Sequence, residues 1–406
     1  MKVNMKPGLA RGTVSAPPSK SLGHRMLICA GLSGGPCTVR GIIPSEDLLA
    51  TLDCLSALGV EYEWQGDAVT LRGGDVFSSP KEPVCCRESG STLRFFVPLF
   101  LLGKQKVTLT GQGQLMERPL DVYQQLCRER TLLFGREEDK LYVRGPFQPG
   151  LYTVPGNVSS QFVTGLLLAL PLLEAGSVIS ITPPVESRPY IEMTRQVQAL
   201  FGVESVWTDE NTLRVFGGQQ YQPRDVDVEG DWSNAAFLEG FNLLSGSVQV
   251  ENLIENGLQG DKIYREYYKM LQNGCPTLDI SQCPDLGPVL MALAAAGQGA
   301  TLTGTRRLAL KESDRAAAMA EDLAKLGVCC RVDEDTVTVP GGQLKAPTQS
   351  LAGHNDHRIV MALTLLLSRV GGQLNGAQAV NKSFPGFFDA VRALGIGVEE
   401  SRGTAL

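Results

Sequence analysis

The chain is poor in the residues from which metal and redox centres are built. Its 406 residues include only three histidines, His24, His354 and His357. His354 and His357 are spaced as a metal pair can be, but no cysteine or glutamate accompanies them at usable spacing, so no metal is expected. The ten cysteines contain no C-x-x-C pair. With Cys85–Cys86 and Cys329–Cys330 adjacent and no export signal, they read as reduced, mostly buried thiols. Met1–Leu9 lack the apolar stretch of a signal peptide, so a cytoplasmic protein is expected. The longest apolar runs, Phe95–Leu102 and Leu166–Leu173, are too short to span a bilayer. Positive charge is not in excess. A net charge of −6 argues against nucleic-acid or membrane-surface partners, yet leaves room for a basic pocket. Nucleotide and hydrolase machinery is missing too. Pro18-Ser19-Lys20-Ser21 lacks the glycines of a phosphate-cradling loop, and Gly111-Gln112-Gly113 lacks the third glycine of a dinucleotide loop. Neither H-E-x-x-H nor G-x-S-x-G occurs. Chemistry without a metal or cofactor is the expectation.

What the sequence does hold is a repeat. A short polar cluster opens an apolar helix of about three turns, a glycine ends it, and a strand follows. A charged or proline-containing loop then leads to a second helix. Six copies occur, opening at Ser19-Lys20-Ser21, Ser89-Gly90-Ser91-Thr92, Ser159-Ser160-Gln161, Asp231-Trp232-Ser233, Pro284-Asp285 and Asn355-Asp356-His357-Arg358. A chain of this length exceeds one ordinary core, and stacked supersecondary units suit such a period, so two domains of three copies are expected. Val228-Glu229-Gly230-Asp231 is the natural boundary. Met1–Ala16 form an extra strand-like segment that can pair with either domain, and Pro17-Pro18 reads as a hinge.

The polar clusters stand at helix N-termini, where free backbone N–H groups and the positive dipole end attract anions. Serine and aspartate there serve as N-caps in any protein. The clusters carry more than caps need. Lys20, Arg25, Arg94, Arg118, Arg188, Arg315, Arg358 and Lys382 lie in or beside them, at similar stages of their repeats, as convergence on one cleft requires. Cations at helix starts oppose the macrodipole unless an anion compensates. Lys311 and Arg315, four apart, read as one helical face, with Asp314 a partner for either. Glu312 is left to act on substrate. His24, inside an apolar helix, reads as structural. Many cations with one or two carboxylates suit transfer between phosphorylated or carboxylated small molecules.

Read in order, Pro18-Ser19-Lys20-Ser21-x-x-x-Arg25, Glu88-Ser89-Gly90-Ser91-Thr92-x-Arg94, Glu117-Arg118-Pro119, Val158-Ser159-Ser160-Gln161, Ser187-Arg188-Pro189-Tyr190, Pro284-Asp285, Lys311-Glu312-Ser313-Asp314-Arg315 and Asn355-Asp356-His357-Arg358 resemble the 5-enolpyruvylshikimate-3-phosphate synthase family along nearly the whole chain. The resemblance implies an α/β fold of two similar domains, each of three βαβαββ repeats packed as an inside-out α/β barrel, closing over substrates. The expected domains are 1–17 plus 229–406 and 18–228, hinged near 16–20 and 228–231. It implies transfer of the enolpyruvyl group of phosphoenolpyruvate to the 5-hydroxyl of shikimate 3-phosphate, with release of phosphate, on the route to chorismate and the aromatic amino acids. Carried over by motif, Lys20, Gly90, Arg118, Arg315, Arg358 and Lys382 hold phosphoenolpyruvate. Lys20, Ser21, Arg25, Ser159, Ser160, Ser187, Tyr190, Asp285 and Lys311 serve shikimate 3-phosphate, and Gln161 stands between the two ligands. Asp285 is the expected base for the 5-hydroxyl. Glu312, shared with Lys20, is expected to exchange protons at the methylene carbon. No cofactor, nucleic acid or membrane is implied, and the expected state is a monomer. Gly90 keeps the small residue that leaves room for glyphosate. Ser91, Gly23 and Arg307 depart from residues common in the family.

Two other readings stand beside this one. The sister transferase acting on UDP-N-acetylglucosamine shares the repeats, but is expected to carry a cysteine where Gly111-Gln112-Gly113-Gln114-Leu115-Met116 has none. A non-catalytic anion-binding protein would not need both Asp285 and Glu312.

Overall fold

The computed structural model describes residues 1–75, 77 and 80–401. The chain opens with strands β1 (Lys2–Met5) and β2 (Arg11–Ser15). The first copy supplies α1 (Lys20–Gly31), β3 (Cys37–Arg40), α2 (Glu46–Ala57), β4 (Glu61–Gln65) and β5 (Ala68–Arg72). The second runs through β6 (Val84–Cys85), α3 (Gly90–Phe100), β7 (Val107–Thr110), α4 (Asp121–Glu129), β8 (Leu133–Glu137) and β9 (Lys140–Arg144). The third is β10 (Leu151–Pro155), α5 (Ser160–Ala169), β11 (Ser177–Thr182), α6 (Arg188–Leu200), β12 (Ser205–Trp207) and β13 (Thr212–Val215), followed by β14 (Val226–Asp227). The fourth has α7 (Trp232–Glu239), β15 (Ser247–Glu251) and α8 (Tyr264–Gln272). The fifth has β16 (Thr277–Asp279), α9 (Gly287–Ala296), β17 (Gly299–Thr303), α10 (Arg315–Lys325), β18 (Arg331–Val332) and β19 (Thr336–Pro340). The sixth has β20 (Leu351–Ala352), α11 (His357–Val370), β21 (Gly372–Asn375), α12 (Phe387–Ala393) and β22 (Val398–Ser401).

The chain divides into two compact units, Pro18–Glu229 and Met1–Pro17 with the chain from Gly230 on. Each complete repeat makes one four-stranded sheet by the same rule. Two parallel strands flank the first helix, and the closing hairpin adds antiparallel to the second strand, as in the order β6-β7-β9-β8. The first copy takes its leading strand from β14, which pairs parallel with β3. The sixth takes its last strand from β1, which lies between β21 and β22.

The fourth copy departs from the expected repeat. Among the described residues its sheet is only β15 beside β2. Four residues separate Gln272 from Thr277, the start of β16, which leaves no chain for a hairpin.

The first and second helices of a repeat differ in a way their composition dictates. GSTLRFFVPLF in α3 and GPVLMALAAA in α9 are apolar all round, and nearly every residue of each is buried. Such helices belong in a core. Thus α1, α3 and α5 fill the middle of one unit, and α7, α9 and α11 sit in the core of the other. The second helices, such as α4 and α8, bury one side only. This is the inside-out arrangement, with helices central and sheets outside, and its effect within each unit is to bring the starts of that unit's core helices together.

Candidate active site

The polar residues at these starts do cap. Ser19, Ser89, Ser159, Asp231 and Asp356 accept backbone N–H bonds from Leu22, Thr92, Gln161, Asn234 and Arg358. In the fifth copy a tight turn, Pro284–Leu286, enters α9 without a side-chain cap.

In the unit Pro18–Glu229, Lys20 opens α1 and pairs with Asp47 of α2 at 2.8 Å. One turn on, Arg25 is buried. Its Nε donates to Thr194 Oγ1 (2.8 Å), its Nη1 to the Ser21 carbonyl (2.7 Å) and its Nη2 to the Tyr190 carbonyl (3.2 Å). Ser187, beside Tyr190 at the head of α6, is buried with left-handed backbone, φ 55°, a conformation costly for a residue with a Cβ. Arg94 of α3 donates to Gln161 Oε1 at 2.7 Å, and Gln161 Nε2 donates to Ser91 Oγ at 2.9 Å. Gly90 faces the guanidinium of Arg118, and a Cβ there would lie 2.5 Å from Arg118 Nη1 and 3.4 Å from Arg94 Nη1. Burial pushes Arg25 and Arg94 each down to about 10, and Arg118 adds to the effect at Arg94. Buried cations crowding one another in this way favour a bound anion. Ser159 caps α5 and Ser160 is its first, buried residue. His24 shares a 2.7 Å bond with Thr51 and meets Phe95 edge-on, the structural position expected of it.

In the other unit the focus is Asp285. Its Oδ1 lies 2.9 Å from Arg315 Nη1 and 3.1 Å from Lys311 Nζ, and its Oδ2 lies 3.6 Å from Arg358 Nη2. Burial would lower Arg315, but Asp356, Asp285 and Glu312 together raise it above the ordinary arginine value. Burial holds Lys311 down at about 8; Asp285 opposes this, and Arg315 and Arg307 reinforce it. Burial would raise Asp356, but Arg315 beside it, with Nε 2.8 Å away, holds its carboxyl below the usual range. Glu312 Oε2 lies 3.0 Å from His357 Nδ1 and 3.7 Å from Lys382 Nζ. Lys382 also donates to the Asn355 carbonyl at 2.6 Å.

Several sequence expectations change here. Lys311 and Arg315 do not share a helical face, because α10 begins only at Arg315; they meet through Asp285. Asp314 pairs with neither and caps α10 by accepting from Ala317 N. Arg188 lies 4.0 Å over the Trp207 ring and donates to the Glu210 carbonyl. The two late histidines part company. His357 joins Glu312 and Asp356, while His354 lies with Asp322 and Glu321. Glu312, Asp322 and Glu321 come from other elements, so linear spacing did not reveal them. The sequence alone assigns no role to Asp356 and His357, although they stand inside the Asn-Asp-His-Arg cluster. Asn234 of α7 lies outside the clusters the sequence singles out, and its Oδ1 accepts from Arg358 Nη1 at 3.3 Å.

Each unit thus presents helix starts ringed by buried guanidinium and ammonium groups. One adds Asp285 and Glu312, the two carboxylates able to move protons. The family model for EPSP synthase (3-phosphoshikimate 1-carboxyvinyltransferase) matches residues 5–273 and 264–391. A 3-phosphoshikimate 1-carboxyvinyltransferase of Clostridium kluyveri is 38% identical, with 98% of each chain covered. One of Clostridium acetobutylicum is 36% identical over 98% of each. The solved EPSP synthase of Acinetobacter baumannii shares the fold, with a TM-score of 0.78 at 22% identity, covering 98% of this chain and 100% of that one. The chain belongs to the EPSP synthase (3-phosphoshikimate 1-carboxyvinyltransferase) family.

Proposed function

We propose that the protein transfers the enolpyruvyl group of phosphoenolpyruvate to the 5-hydroxyl of shikimate 3-phosphate, releasing phosphate. The observation that carries this reading is the cluster on Asp285, where Lys311, Arg315 and Arg358 converge within 3.6 Å beside a second carboxylate, Glu312. Each substrate bears a phosphate and a carboxylate, and such groups call for this density of cations.

In this reading Lys20, Gly90, Arg118, Gln161, Arg315, Arg358 and Lys382 hold phosphoenolpyruvate. Lys20, Ser21, Arg25, Ser159, Ser160, Gln161, Ser187, Tyr190, Asp285 and Lys311 serve shikimate 3-phosphate. Asp285 accepts the 5-hydroxyl proton as the oxygen attacks C2 of phosphoenolpyruvate. Three cations lie within 3.6 Å of its carboxylate oxygens, and a base must be within reach of the proton it takes. Glu312, with His357 at 3.0 Å to share the proton, protonates C3. Loss of that proton as the C2–O bond to phosphate breaks then restores the double bond, and the proton returns to Glu312 or Lys20. Lys382 and Arg315 stabilise charge on the departing phosphate.

We also infer a cytoplasmic monomer acting on free small molecules; no helix among the described residues is long and apolar enough to cross a membrane. The test is phosphate release from phosphoenolpyruvate with shikimate 3-phosphate or UDP-N-acetylglucosamine as acceptor. Release with the first alone is expected. Release with the second alone, or with neither, sinks the reading.

A further inference from the structure

The fourth copy has no place in the mechanism above, yet its helix touches one of the central cations. Asn234 and Phe237 are three residues apart on α7 and so share a face. Both are fully buried. Asn234 Oδ1 accepts from Arg358 Nη1 at 3.3 Å, and the Phe237 ring centroid lies 5.7 Å from Arg358 Cζ. The start of α7 is itself immobilised. Asp231 accepts from Asn234 N at 2.8 Å, Gln259 Oε1 accepts from Trp232 N at 3.1 Å, and Ser233 donates to Asp261.

We propose that Asn234 and Phe237 form a socket that positions Arg358 for the anion it binds, which makes the fourth copy part of the phosphoenolpyruvate site. This rests on the assignment of Arg358 to phosphoenolpyruvate. A neutral acceptor and a ring face fix a guanidinium without cancelling its charge. A carboxylate in the same place would form a charge-assisted pair and hold Arg358 against the incoming anion. Two buried donors support the same view. Among the described residues, Arg358 Nε and Asn234 Nδ2 have no hydrogen-bond partner. Such groups are rarely left unpaired in a finished site, and an oxygen of the ligand or of an ordered water suits both.

The full chain is tested as N234D, N234S and F237L, with R358K as control. KM for each substrate, kcat and Tm are measured. N234D is expected to raise KM for phosphoenolpyruvate roughly tenfold, the size of a misplaced charge-assisted contact, with KM for shikimate 3-phosphate unchanged and Tm held. N234S, which keeps a neutral acceptor, recovers most of the loss, and F237L gives a smaller rise in the same KM. Should N234D fail to fold, F237L carries the comparison, and an unchanged KM for phosphoenolpyruvate in F237L overturns the socket. Unchanged KM for phosphoenolpyruvate in N234D and F237L, with R358K impaired, overturns the socket alone. So does an equal rise of both KM values with a fall in Tm. An unimpaired R358K overturns the assignment of Arg358, and the socket with it.

Discussion

Lys311 and Arg315 meet on a single atom, Oδ1 of Asp285, at 3.1 and 2.9 Å. Two cations share one carboxylate oxygen, and Lys311 is the weaker of the two, held at about 8 by burial and by the neighbouring guanidinium groups. Above pH 8 the ammonium is lost first. KM for shikimate 3-phosphate is therefore expected to rise about tenfold from pH 7 to pH 9, following the loss of the charged form. K311R is expected to flatten that rise. The sign for stability is opposite. A lysine held below its ordinary 10.5 disfavours the folded state while charged, so this contribution improves as pH climbs between about 8 and 10.5. Steady-state kinetics and melting curves across this range check both statements.

Gly90 stands so close to Arg118 that any side chain must move the guanidinium, since a Cβ would lie 2.5 Å from Nη1. The far end of an arginine gives way easily, so G90A is expected to fold normally. KM for phosphoenolpyruvate is expected to rise about tenfold with the displacement of one charge-assisted contact, and inhibition by glyphosate to weaken in step. A competition titration against phosphoenolpyruvate, run on both proteins, measures the shift.

Asp322 is fully buried on α10 and accepts from Lys325 (2.7 Å), from Ala352 N (3.2 Å) and lies 3.1 Å from His354 Nε2. It thereby ties down Ala352 and His354; His354 and Asn355, with φ values of 47° and 51°, stand immediately before the Asp356-His357-Arg358 helix start. D322A leaves cations around an emptied position and is expected to cost about 3–5 kcal/mol of stability. The hydrogen bond that His354 donates to Asp322 raises the histidine pKa above 6.5. Its share of stability is therefore complete below pH 6.5 and fades as pH rises past that raised value. Denaturant melts of wild type and H354Q from pH 5.5 to 8.5 should converge at the alkaline end.

The roles proposed for Asp285 and Glu312 lead to different expected outcomes. D285N removes the base while keeping shape, and kcat is expected to fall by about 10² to 10⁴. E312Q is expected to lose kcat similarly and to block the exchange of solvent deuterium into C3 of phosphoenolpyruvate, which D285N slows less. Mass spectrometry of recovered substrate separates the two.

Much of this was legible in the chain because the signals are local. Capping serines and aspartates, all-apolar first helices and amphipathic second helices each depend on residues a few positions apart. The clusters at Lys20, Gly90 and Arg358 were visible for that reason. What escaped depends on packing between distant elements. Lys311 and Arg315 read as one face because Asp314 reads equally as an ion-pair partner and as the cap that starts α10 at Arg315. The partners of His354 and His357 lie more than thirty residues upstream on α10 and its approach. Asn234 lies just past the Asp231-Trp232-Ser233 cluster, and its contact with Arg358 depends on α7 packing against α11.

The pairing of β1 between β21 and β22 sets an order of assembly. Pro18–Glu229 has every strand it needs once β14 has been made, so it can fold while the chain is still growing. The first strand made must wait, unpaired, until the last one arrives. Closing a loop of that length makes this sheet a late and slow step, and the waiting edge is one that a chaperone or a second nascent chain can take. Moving Met1–Pro17 to the far end of the chain by circular permutation would turn that longest-range contact into one of the shortest.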